Sequence, residues 1–170
     1  MKGSRVMAKR AAYCAMLTAL AMIFGYVEAL IPFNFGIPGV KLGLANLVIV
    51  VALYLLPAHQ VFFIQIARIV LVSFLFGNLS MMLYSLAGGL LSFLVMSLLK
   101  KAGGFSVIGV SIAGGVTHNI GQLIVAILVV QNMKIAYYAS VLMIAGLITG
   151  GLIGMLAQRI QLHINQNHNK

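Results

Sequence analysis

Five polar side chains interrupt stretches built otherwise of Leu, Ile, Val, Ala and Gly: Glu28, Arg68, His118, Asn119 and Gln122. A hydrogen-bonding group placed in hydrocarbon is costly, so each is a candidate for function. His118 and Gln122 are four residues apart and Asn119 and Gln122 three apart, which puts all three in one sector of a helix. Gly114-Gly115 just ahead of them leaves room for a ligand or another helix. Three uses stay open for this group: ligand binding, hydrogen bonds between helices, and proton transfer by His118. Glu28 and Arg68 carry opposite charge. They form a structural ion pair if they face each other, or one of them contacts a ligand. Between these stretches lies a run rich in special backbone residues, with Asn34, Gly36, Pro38, Gly39, Lys41, Gly43 and Asn46. A simple connection rarely needs so much turn chemistry. It reads as the lid or wall of a pocket in which Lys41 can meet an anionic group, or else as an interfacial loop. Gln65 and Asn78 are weaker polar candidates.

The same inventory excludes much. Glu28 is the one acidic residue in 170, and the chain has no aspartate. Acid–base chemistry by paired carboxylates and an all-protein Mg²⁺ site are therefore excluded within one chain. Cys14 stands alone, so no internal disulfide or cysteine cluster forms. Three of the four histidines are scattered rather than grouped as metal ligands. No GxxxxGK[ST] loop is present, so ATP-driven work would need partner subunits. The net charge of +10 does not indicate nucleic acid, because most Lys and Arg flank long apolar runs. Non-enzymatic function is the expectation.

The elements that must position these residues are membrane helices. The chain is 62% hydrophobic and 7% charged, against about 25% charged in soluble domains. It reads as one all-α integral membrane domain, a bundle of six transmembrane helices. The expected spans are about 11–31, 44–56, 60–76, 79–99, 105–130 and 135–157, with a polar tail from Gln158 that frays. The second is short for a crossing that takes about 20 residues. Six crossings place eight Lys and Arg on one side and two, Lys41 and Lys134, on the other, with Arg68 inside. The excess marks the cytoplasmic side, so both termini are expected there. Ala11, Ala15 and Ala19 share one helix face, and Gly146, Gly150 and Gly154 share another. Such faces let helices approach closely in lipid. The alanine face suits either internal packing or docking of a partner subunit; for the glycine face internal packing is the stronger expectation.

The stretch Glu28-Ala-Leu-Ile-Pro-Phe through Pro38-Gly-Val-Lys-Leu-Gly-Leu-Ala-Asn46 resembles the signature of a bacterial membrane family. This is the Gx transporter family, also called heptaprenyl diphosphate synthase component I. Gly114-Gly-Val-Thr-His-Asn-Ile-Gly-Gln122 is similar to its second signature, and the resemblance covers nearly the whole chain. The family looks related to the substrate-binding S components of energy-coupling factor transporters. That implies a multi-pass bacterial cell-membrane protein that binds a small molecule under the first outer loop. It also implies docking through an Ala-xxx-Ala face onto a transmembrane coupling subunit that works with ATPases. Ala11, Ala15 and Ala19 match that face, and Asn34 to Asn46 occupy the loop. The expected ligand wall is Glu28, Asn34, Lys41, Asn46, Arg68, His118, Asn119 and Gln122. The resemblance further implies a flavin, quinone, isoprenoid precursor or vitamin as ligand. An alternative is a subunit of flavin-based extracellular electron transfer that works with an extracytoplasmic partner. A third is a non-catalytic membrane partner of a prenyl synthase; usual trans-prenyl synthases hold diphosphate through Mg²⁺ on aspartates that this chain lacks.

Overall fold

A computed structural model describes residues 2–30 and 43–168. Asn34 and Lys41 therefore lie outside the described residues. Six α-helices are seen among the described residues, and no strand: α1 (Lys2–Leu30), α2 (Leu44–Leu55), α3 (Ala58–Phe76), α4 (Leu79–Ala102), α5 (Val107–Val130) and α6 (Ala139–His168). A short 3-10 helix, Met133–Tyr138, leads into α6.

The breaks follow from the sequence. Pro57 separates α2 from α3. Asn78 caps α4 by accepting from Met81 N, and Ser106 caps α5 by accepting from Gly109 N. Gly103 (φ 73°) and Gly104 (φ 79°) stop α4 in conformations that side chains disfavour. The expected fraying after Gln158 does not occur, since α6 continues to His168. Gln, Arg and Leu are good helix formers in water as well as in lipid. Apolarity marks where lipid ends, not where the helix ends.

Among the described residues five helices are long and apolar enough to cross a membrane; α2 is apolar but has only 12 residues. At about 1.5 Å per residue it spans about 18 Å, against about 30 Å of hydrocarbon. It is instead the most buried element, with Ala45 and Val48 through Leu53 all in the core. Lys100, in the last turn of α4, donates from Nζ to the Leu53 carbonyl and stands 5.3 Å from the centre of the Tyr54 ring. A cation at a helix C-terminus satisfies an orphan carbonyl and complements the helix dipole. This ties one end of α2 level with the charged end of α4.

The helices close a ring: α1 packs on α3, α3 on α4, α4 on α5, α5 on α6, α6 on α2, and α2 back on α1. Exposure is inverted relative to a water-soluble protein. Phe74, Leu128 and Tyr137 are largely exposed, whereas Gln65, Ser73, Ser92, Ser111, Asn119 and Gln122 are buried. An apolar outside with a polar inside suits lipid as solvent.

Gly43 begins α2 with φ 75°. A Cβ there would stand 3.0 Å from Ile153 Cδ1 and leave the left-handed backbone strained. Gly43→Ala is expected to cost about 1–2 kcal/mol, read as a lowered Tm in thermal unfolding of detergent-solubilised protein.

Candidate functional site

The ring encloses a partly open cavity of about 70 Å³ to which every helix contributes. Of the eight expected wall residues, Glu28, Asn46, Arg68, His118, Asn119 and Gln122 all line it. Asn34 and Lys41 remain outside the described residues.

Arg68 is the hub of this pocket. Its Nε donates to Gln65 Oε1 at 2.8 Å and its Nη2 to Asn46 Oδ1 at 3.0 Å. Gln65 sits one helical turn before Arg68 on the same face of α3 and is fully buried. Asn46 reaches across from the first turn of α2. The guanidinium also interacts with the charge of Glu28. Ten residues into α3, at about 1.5 Å each, Arg68 lies about 15 Å from the helix start. It is thus near half the hydrocarbon depth, where an uncompensated charge is costly.

Glu28, near the end of α1, accepts a hydrogen bond from Gly43 N. Gly43 opens α2, so the carboxylate meets the positive end of that helix. The contact joins α1 to α2 across residues 31–42. Glu28 thus serves both the Arg68 charge and the α1–α2 junction.

On the other wall, Asn119 Nδ2 donates to the Leu142 carbonyl at 2.7 Å. One of its donors is thereby spent on a bond from α5 to α6. The carboxamide oxygen and the second N–H are not used by that bond. His118 and Gln122 line the pocket beside α4, where a Cβ on Gly88 would come within 2.7 Å of the His118 carbonyl and 2.9 Å of Gln122 Cγ.

The hydroxyls were not singled out from the sequence. Ser73, Ser85, Ser92, Ser111 and Thr149 all line the pocket. Ser111 Oγ donates to the Gly150 carbonyl at 2.8 Å, and Thr149 Oγ1 to the Ala145 carbonyl at 2.9 Å. Ser92 Oγ is buried and has no hydrogen-bond partner among the described residues; neither does Gln65 Nε2. Among those residues no group of three or more His, Cys, Asp or Glu could hold a metal ion.

Ala11, Ala15 and Ala19 lie away from the pocket, and all three are exposed on α1. Leu17 and Ala21 face the core instead. The alanine face is therefore not used inside this bundle. The glycine face of α6 is so used: Gly146, Gly150 and Gly154 lie against the backbone of α5.

The family description "heptaprenyl diphosphate synthase component I" matches residues 17–160. No curated protein and no solved structure matches the chain.

Proposed function

Because the chain belongs to the heptaprenyl diphosphate synthase component I family, we propose that it is a membrane subunit that binds a small molecule inside its helical ring and serves its transport, in the manner of an S component. What carries this is the pocket itself. Six polar residues spread over four helices converge on one void. A bundle needing only internal cohesion would close such a void, because a gap forfeits the dispersion contacts of close packing. In this reading α2 belongs to the sixth crossing, and both termini are cytoplasmic, as the Lys and Arg distribution favours. The ligand enters beside Glu28 and Gly43. The chain performs no chemistry of its own.

The test is mass spectrometry of whatever small molecule stays with the protein after mild detergent extraction. One compound released in near-stoichiometric amount on denaturation is the expected result. Wild-type protein that yields none, after extraction from cells that express it natively, overturns the proposal.

The exposed alanine face then serves to dock a transmembrane coupling subunit, since small residues permit close helix approach in lipid. Ala11→Leu/Ala15→Leu is expected to reduce uptake of the retained compound at least ten-fold while the purified variant still binds it. Unchanged uptake would remove the docking role.

A second reading is favoured by the family description, which names a component of a synthase. The chain would then be the non-catalytic membrane partner of a heptaprenyl diphosphate synthase, which fits its lack of aspartate. Unchanged prenyl chain synthesis in a deletion strain would end that reading.

A further inference from the structure

Two residues in the middle of the bundle, Gln65 and Ser92, have no exposed surface, yet neither Gln65 Nε2 nor Ser92 Oγ has a hydrogen-bond partner among the described residues. The orientation of the Gln65 amide is fixed. Arg68 Nε donates to its Oε1 at 2.8 Å, and a guanidinium offers no acceptor, so Nε2 is left as a donor on the far side. Thr18, Thr117 and Thr149 each return a hydroxyl proton to the carbonyl four residues before them, the usual resort of a hydroxyl in a helix. Ser92 makes no such bond. The two orphans lie at one level. Counted from the turn at Gly77-Asn78, Gln65 is eleven residues back from the end of α3, and Gly89 and Ser92 are ten and thirteen residues on from the start of α4. At about 1.5 Å per residue these depths are about 17, 15 and 20 Å. A Cβ on Gly89 would stand 2.5 Å from Gln65 Nε2, so the amide lies against α4, and Ser92 follows one turn later on the same face. Ser92 lines the cavity, where a Cβ on Gly114 of α5 would stand 3.2 Å from its Oγ.

We propose that the inner end of the cavity is a binding site for one oxygen atom, held between Gln65 Nε2 and Ser92 Oγ, and that water supplies this oxygen when the protein carries no other guest. Gln65 Nε2 can only donate, so the missing partner must have a lone pair; Ser92 can either give to it or receive from it. A donor buried without a partner is costly, and at this depth no bulk solvent reaches it from the lipid side. Space agrees. The cavity holds about 70 Å³, and one water needs about 10–15 Å³ in a polar surround with two or more partners. The site thus takes water to the middle of the bilayer inside the ring. It does not depend on the cavity admitting anything larger. A larger guest that reached this depth would have to bring an oxygen of its own, because displacing a held water with a group that cannot replace its hydrogen bonds loses affinity.

The test uses the full chain in phosphatidylcholine nanodiscs, with Cys14→Ser to remove the native thiol, and silver ion as a probe that travels through water and not through lipid. Single cysteines are placed by Ser92→Cys at the proposed site, by Ser85→Cys elsewhere on the cavity wall, and by Leu94→Cys at nearly the same depth on the exposed face of α4. The thiol left unreacted is counted by alkylation after denaturation. Silver is expected to consume the thiol of Ser92→Cys at least ten-fold faster than that of Leu94→Cys. Ser92→Cys as inert as Leu94→Cys overturns the proposal, whether or not Ser85→Cys reacts. Thermal unfolding of the protein in detergent without added ligand tests the shared oxygen and needs no cysteine. If one water serves both groups, Gln65→Met/Ser92→Ala will lower Tm by less than the sum of the two single changes, with a shortfall of about 2–4 °C. Full additivity overturns the bridge between Gln65 and Ser92.

Discussion

Arg68→Met is expected to destabilise the protein by about 3–5 kcal/mol, the range for removing one partner of a buried charged network. The loss has three sources. Gln65 Oε1 and Asn46 Oδ1 each lose the donor they now face at 2.8 and 3.0 Å. Glu28 loses the cation that offsets it. Arg68→Lys keeps the charge, but one ammonium on a flexible stem cannot reproduce a planar fork that holds two amides at once. It should fall between wild type and Arg68→Met. Thermal unfolding in detergent reads the order, and retention of the bound compound should fall with it, steepest for Arg68→Met. If Arg68 and Glu28 act as one unit, Glu28→Gln/Arg68→Met will be less damaging than the sum of the two single changes. Full additivity, or an Arg68→Met variant as stable as wild type, would show that the guanidinium is not the centre of the pocket.

Arg68 was legible in the sequence for the reason that makes it sensitive. A charge at membrane depth is expensive enough to stand out in any apolar run. The same cost exposed Glu28, His118, Asn119 and Gln122, and the helices carry all of them to one void. The hydroxyls escaped notice because Ser and Thr can bond back to their own helix. Thr149 bonds to the carbonyl four residues before it, as do Thr18 and Thr117. A threonine satisfied in this way costs little in lipid and leaves no mark in the sequence. Only the helix arrangement separates Thr149, at the pocket, from Thr18. Gln65 reads as a weak polar candidate when taken alone, but it stands three residues before Arg68 on the same helix face, within reach of the guanidinium.

Helix boundaries were legible where turn chemistry set them, at Pro57, Asn78 and Gly103. They were not legible at the ends of α1 and α6, which run beyond the apolar stretch into charged and polar residues. The shortness of α2 was visible, but not its role. An apolar segment of 12 residues reads alike as a half-span and as a core helix. What decides is a contact 47 residues away, from Lys100 to Leu53, together with burial on all sides. The two small-residue faces share one spacing in sequence, with internal packing the stronger expectation for the glycine face, and only that face packs inside the bundle. Alanine keeps a Cβ and so holds a neighbour off by about a methyl radius. Glycine does not, and α5 and α6 meet at their backbones.

That backbone contact sets the second large effect. Gly115→Leu is expected to cost about 3 kcal/mol or more, the upper end for overpacking. A Cβ on Gly115 would lie 2.6 Å from the Gly146 carbonyl oxygen and 3.2 Å from Gly150 Cα. Both are main-chain atoms of a helix, which cannot turn aside as a side chain can, so α5 and α6 must separate. Separation would break the Asn119–Leu142 and Ser111–Gly150 hydrogen bonds that cross the same seam. Buried donors would lose their acceptors, which adds to the steric cost. Gly151→Leu is the matched control: it is one residue from Gly150 on the same helix, yet its Cβ would meet only Ile112 side-chain carbons at 4.0 Å. Its expected change is within about 0.5 kcal/mol, as for substitutions away from tight contacts. Thermal unfolding of the two variants in one detergent gives the comparison. A low Tm for Gly115→Leu with loss of compound retention, against near-wild-type behaviour of Gly151→Leu, places the stability of the pocket wall in the glycine seam. Equal effects of the two would mean that α5 and α6 are held by something other than backbone approach.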